Sequence, residues 1–102
     1  PKAWDKKWRM VIFDIPEKKR AARDVLREIL KRMSFYEFQK SVFVHPYPCR
    51  DEIDYLIEYY EIRPYVRIVT ATELDNELHL CKIFNVSLAY DRKLMTRFCM
   101  YK

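Results

Sequence analysis

The 102-residue sequence contains no glycine. That excludes the glycine-rich phosphate loops of P-loop and dinucleotide-binding proteins, so ATP and NAD are poor candidate ligands. It also removes the usual residue of tight two-residue hairpin turns, so reversals between strands must be built from other residues. Against this background the stretch Arg9 to Pro16, RMVIFDIP, organises the chain. Met10 to Phe13 form a continuous apolar run of strand-favouring residues, the pattern of a buried strand, and it closes on Asp14. Ile15 and Pro16 end the strand and open a helix, because proline's fixed φ and missing N–H suit a first helical turn. An acid at that position commonly caps a helix or turn. Here it also faces a run of cations on the next helix, which makes it the main lead to function.

Glu17 to Met33 reads as a helix with Ala21, Ala22, Val25, Leu26, Ile29, Leu30 and Met33 on one stripe. Lys18, Lys19, Arg20 and Arg23 lie in its first turns, where the helix dipole disfavours cations, so anion binding is one reason for them to be there. Phe35 to Val44 is rich in strand formers and predicts a strand that turns near Lys40 and Ser41 and pairs onward into Val42 to His45. Pro46, Tyr47 and Pro48 end it. Asp51 to Ile62 predicts a second helix, with Ile53, Leu56, Ile57 and Tyr60 facing inward and Pro64 stopping it. Tyr65 to Ala71 predicts a further strand. Thr72 begins a capping-box pattern ahead of Leu74, Leu78, Cys81 and Phe84, which predicts a short third helix.

The order β, α, a β pair, α, β is that of an α+β ferredoxin-like fold: an antiparallel sheet with two helices on one face, here followed by a short helix and tail. The expected organisation is a lead-in over 1–8 carrying Trp4 and Trp8, a single domain over 9–84, and a tail over 85–102 that acts as a swapped strand, a docking arm or a disordered end. The chain starts at Pro1 rather than a methionine and so reads as a piece of a longer protein.

Cys49, Cys81 and Cys99 are far apart and match no disulfide or zinc spacing, which suggests free thiols and a cytoplasmic setting. His45 and His79 are isolated. No segment has the length and apolarity of a membrane span. The net charge of +5 is unevenly distributed, with 12 Lys/Arg against 6 Asp/Glu in residues 1–40, 4 against 8 in 41–90, and 4 against 1 in 91–102. A basic first third suggests a positively charged face suited to nucleic acid.

VIFDIPEKKR, a QKSVF strand some way downstream and a PYPC segment opening an acidic helix together resemble the central domain of the phenylacetate-degradation repressor family of bacterial transcription regulators. That domain is itself similar to the CRISPR-associated protein 2 endonuclease family. The resemblance spans Trp4 to Phe84. The lead-in WDKKW, the PYPC segment and the added third helix favour the regulator side. It implies a homodimer that binds nucleic acid, DNA in particular; the residues expected to carry that binding are the cations of the basic first helix, Lys18, Lys19, Arg20 and Arg23, together with Lys40 and Ser41 at the strand turn, and no membrane partner is expected. The nuclease side implies a different role: Asp14 of each subunit as a catalytic ligand to a shared Mg or Mn ion, in a metal-dependent endonuclease or in the scaffold subunit that works with a CRISPR integrase. Ser41 and Phe43 match strand residues near that site. Phe13 stands where the nuclease family often has tyrosine, which removes a hydroxyl from it. One carboxylate per subunit is a sparse set for metal-assisted phosphodiester hydrolysis unless a dimer or substrate completes it.

Overall fold

The computed structural model describes residues 3–88. β1 (Trp8–Phe13) leads into a 3-10 turn (Glu17–Lys19) and α1 (Arg20–Arg32). β2 (Tyr36–Gln39) and β3 (Val42–His45) follow as a hairpin, then α2 (Arg50–Tyr59), a second 3-10 turn (Arg63–Tyr65), β4 (Val66–Ala71) and α3 (Glu77–Phe84). The four strands form one antiparallel sheet in the order β2-β3-β1-β4, which is the ferredoxin-like arrangement the element order implies.

β1 lies between β3 and β4, with Val11 opposite both Phe43 and Ile68 and Met10 opposite both Val44 and Val69. Alternation therefore sends two sets of side chains to two faces. Val11, Phe13, Phe43 and Val66 pack under α1 and α2 with Leu26, Leu30, Ile53, Ile57 and Ile62. Trp8 and Val44 point the other way and are buried with Trp4, Leu80 and Cys81 beneath α3. Both faces of the central strand are covered at one end, which is why its sequence is an unbroken apolar run rather than an alternating one.

The lead-in is part of this second layer. Trp4 packs at a tilt against Trp8, with ring centroids 4.7 Å apart, and the Trp8 indole donates to the Glu77 carboxylate at 2.9 Å, latching the start of α3 to the start of β1. Arg9 supplies the other tie. Its guanidinium, with a side chain only 11% exposed, donates to both Asp5 oxygens at 2.8 and 2.6 Å and to the carbonyls of Lys7 and Pro46. The hydrogen bond from Arg9 holds the Asp5 carboxyl down at about 2.

Several local expectations are corrected. The first helix does not begin at Glu17, because Lys19 leaves helical geometry at φ −114° and separates a 3-10 turn from α1. Ala21 is exposed, so the stripe starts at Ala22. Asp14 does not cap: no side chain caps the 3-10 turn or α1. Thr72 does not cap α3 either, since that helix begins at Glu77 behind a left-handed Asn76. The later start shifts the helical phase, leaving Leu78 75% exposed and burying Leu80 instead.

Pro64 is not what stops the second helix, because α2 has already ended at Tyr59, ahead of the turn that contains the proline. The stop is a left-handed residue, Glu61, at φ 53°. The Glu61 N–H then bonds the Glu58 carbonyl and the Ile62 N–H bonds the Ile57 carbonyl, the Schellman arrangement. α1 ends in the same way at Ser34 (φ 68°) and α3 at Asn85 (φ 54°), each followed by an apolar residue, Phe35 and Val86. A glycine-free chain thus places residues with a Cβ at all three helix exits, where the left-handed conformation costs roughly 1–2 kcal/mol. Ile62 and Phe35 are buried in the main core, and that burial offsets the cost.

Ser34→Gly and Glu61→Gly should each raise the unfolding free energy by about 0.5–1 kcal/mol, the relief of a Cβ clash less glycine's extra chain entropy. Urea denaturation measures this. Unchanged midpoints in both variants would show that these exits are unstrained.

Candidate nucleic-acid interface

β1 delivers Asp14 to one end of the sheet. The Phe13 N–H bonds the Ser41 carbonyl at 3.1 Å, and the Asp14 N–H bonds the Tyr65 carbonyl at 2.8 Å. The β2–β3 turn with Lys40 and Ser41 therefore flanks Asp14 on one side, and the connection into β4 flanks it on the other. The chain continues from Asp14 straight into the 3-10 turn, so Lys18, Lys19 and Arg20 rise from the same end. Residues far apart in sequence are gathered here by strand pairing alone.

Within this cluster the cations have different employment. The Lys19 ammonium donates to the Glu61 carbonyl at 3.1 Å, fastening the start of the α1 segment to the exit of α2, where the helix dipole is negative. A fold-internal partner accounts for that lysine. Glu17 pairs with Arg20 at 3.0 Å and with Arg23 at 3.4 Å, and Asp24 also lies beside Arg23. Lys18 and Lys40 are exposed and form no ion pair among the described residues. From Asp14 to Asp24 there are 4 cations against 3 carboxylates, so this end is only mildly positive. Over residues 3–88 there are 15 Lys/Arg against 14 Asp/Glu, and the surplus positive charge of the sequence lies in 1–2 and 89–102.

Arg27 is a residue whose role is not visible in the sequence. It stands on α1 over the Phe43 ring at 5.5 Å, ion-pairs with Glu37 at 3.3 Å and donates to the Lys40 carbonyl. It thereby pins the β2–β3 turn against the helix layer and sets where Lys40 and Ser41 stand. An arginine on a basic helix face gives no sequence signal of this, because its partners come from the hairpin.

Asp14 is exposed, and its carboxylate takes part in none of the side-chain hydrogen bonds or ion pairs found among the described residues. No three His, Cys, Asp or Glu side chains converge on a metal-binding geometry among the described residues. Glu17 and Asp24 are paired with arginines, so a single chain offers a divalent ion one unpaired carboxylate here, which by itself is not a site. Of the two described cysteines, burial with Glu52 nearby pushes the Cys49 thiol up, and burial with Glu77 nearby does the same for Cys81, which disfavours the reactive thiolate at both.

The expected tail over 85–102 is described only through Leu88; Val86 and Leu88 pack against the Trp8 cluster, and the rest of the tail lies outside the described residues. No helix among the described residues is long and apolar enough to cross a membrane.

No curated protein matches the chain. The family described as the PaaX protein central Cas2-like domain matches residues 1–80, from the tryptophan lead-in through the four-stranded sheet and into α3, and this chain belongs to that family.

Proposed function

We propose that this chain serves a repressor-type transcription regulator as a homodimerising, nucleic-acid-binding domain. The observation that carries the reading is the family match, which covers every strand of the sheet. The geometry supports it in two places. At the Asp14 end, the exposed Lys18, Arg20 and Lys40 stand about the end of β1 with Ser41 at the hairpin turn, an arrangement suited to a phosphate backbone. Contacts of this kind position a duplex without reading its sequence. Arg23 stands one turn further along α1 and extends the same row, and Lys19 contributes from its bond to Glu61.

On the reverse face of the sheet, α3 covers only the end near Trp8. Ile12, Val42 and Val69 share that face by register and are not packed into the Trp8 cluster. Val69 is 37% exposed, and Arg67 lies opposite Ile12 in the same row. An apolar strip on a sheet face, edged by polar residues, is the kind of surface that a second copy buries.

Two measurements test these two roles. Replacing Lys18, Arg20 and Lys40 together by Ala should weaken binding to duplex DNA of any sequence. It should also flatten the plot of log affinity against log salt by about 0.9 for each phosphate that the variant no longer neutralises. An unchanged slope would place the binding surface elsewhere. For dimerisation, light scattering should give a dimer mass for the unaltered chain and a monomer mass for Val69→Glu, a change at a position exposed enough not to disturb folding. A monomer at high micromolar concentration would remove the dimer from the proposal.

The uncapped, exposed Asp14 favours one second reading, a divalent-metal endonuclease or CRISPR adaptation subunit in which two such acids share a Mg or Mn ion. A ligand bound only by the folded state raises its melting temperature by mass action. With no metal site, neither ion shifts the wild type, and Asp14→Asn melts within a degree or so of it because the side chain makes no bond that the change would remove. A wild-type shift of several degrees on adding Mn, absent in Asp14→Asn, would establish the metal reading in place of the regulator reading.

A further inference from the structure

α1 and α2 lie side by side on the sheet, and between them runs a broad groove of about 450 Å³. Its apolar walls are Ile29 and Met33 from the last turns of α1 and Tyr55 and Leu56 from α2, and its lip is Asp51 and Glu52. The chain enters α1 and leaves α2 at the Asp14 end, so this groove sits at the far end of the helix layer from Lys18 and Lys40.

Three observations converge on it. First, Tyr55 is 69% exposed and Tyr59 67% exposed, on the ridge beside the groove, with rings 6.3 Å apart and inclined by only 19°. Two tyrosines stacked at helical spacing form an aromatic surface that stays mostly exposed, although the Tyr59 ring also meets Tyr60 edge-on at 4.9 Å. Second, α2 carries Asp51, Glu52, Asp54 and Glu58 against the single cation Arg50. Asp54 and Glu58 are engaged by Arg63, whereas Asp51 and Glu52 form no ion pair among the described residues. Third, the apolar floor is continuous from helix to helix. Acids in a first helical turn are accounted for by the dipole alone. The dipole does not account for the exposed tyrosine pair or for an open apolar cleft beside it.

We infer that this groove docks a cationic peptide segment of a protein partner, one with apolar side chains spaced between its arginines or lysines. The apolar side chains fill the cleft over Ile29, Met33 and Leu56. The cations meet Asp51 and Glu52 and lie over the Tyr55 and Tyr59 rings, where the ring quadrupole attracts them. Phosphates are repelled by the same acids, so nucleic acid is not the occupant. Tyrosine-anchored sites with an acidic rim concentrate their binding energy in few residues. The inference stands apart from the nucleic-acid proposal, since the two surfaces share no residue and can be filled together.

The probe is a short fluorescein-labelled peptide alternating Arg and Leu, with a Glu-for-Arg version as control, titrated into the full chain. Binding of the cationic peptide only, amide shift changes centred on Ile29, Met33 and Asp51 to Leu56, and an affinity loss of about tenfold in the Glu52→Lys, Tyr55→Ser double variant are expected. Both positions are exposed, so the variant keeps the fold, and its melting curve verifies that. Equal affinity in the variant, shift changes centred elsewhere, or equal binding of the Glu peptide overturns the inference. So does self-association abolished by the same two substitutions, which assigns the groove to a second copy of the chain.

Discussion

Everything in this domain is hung on the double pairing of β1. Its backbone is satisfied by β3 on one side and β4 on the other, and its side chains are buried alternately under two different layers. A strand bonded on both edges and covered on both faces must be apolar at nearly every position, since a polar side chain there loses its water without gaining a partner. The acid that follows Phe13 lies just past the last residue of the strand and is exposed. Its position at the rim is a consequence of where the strand stops.

The two layers are held by different means. Under α1 and α2 the joint is aliphatic and aromatic packing, with Phe43 and Phe13 stacked at 6.0 Å between centroids. Under α3 it is a tryptophan pair with polar handles, in which the Trp8 indole reaches Glu77 and the Trp4 indole reaches the Lys7 carbonyl at 2.9 Å. Large rings that bury area while placing one donor suit a layer only a helix and a lead-in thick. The Arg9 fork adds the third support, since it holds the lead-in through Asp5 and the end of β3 through the Pro46 carbonyl. The same reach of arginine serves at the opposite end, where Arg27 fixes the β2–β3 turn.

Charge is sorted by element. The α1 segment carries cations and α2 carries acids, and the two helices are neighbours. The contacts between them are not symmetrical. Cations near the Asp14 end are partly neutralised by Glu17 and by the exit of α2, and acids near the other end are left open. An overall net charge therefore describes this surface poorly. Screening at physiological salt confines each effect to roughly 8 Å, so the two ends of the helix layer act as separate electrostatic regions.

The sequence by itself determined the element types, their order and the two-helix layer, because strand and helix periods and the proline positions are local properties of the chain. It also brought out Asp14 and the cations after it, since a carboxylate closing an apolar run stands out from its neighbours. Helix exits at Ser34 and Glu61 are not legible there, because neither residue type marks a left-handed position, which is set by the apolar side chain that must turn back into the core; Asn85 is a type that commonly takes that conformation. The phase of α3 escapes a local reading for a related reason: Leu78 and Leu80 are equally apolar, and only the Trp8 cluster decides which one is buried. Tertiary structure alone decided that Lys19 spends its charge on a carbonyl at the exit of α2, that Arg27 belongs to the hairpin, and that Asp14 caps nothing. The first two depend on partners ten or more residues away, brought within a few ångströms by strand pairing and helix packing that no local pattern encodes. The third follows from the 3-10 turn that Lys19 separates from α1, which leaves the Asp14 carboxylate facing solvent at the rim of the sheet.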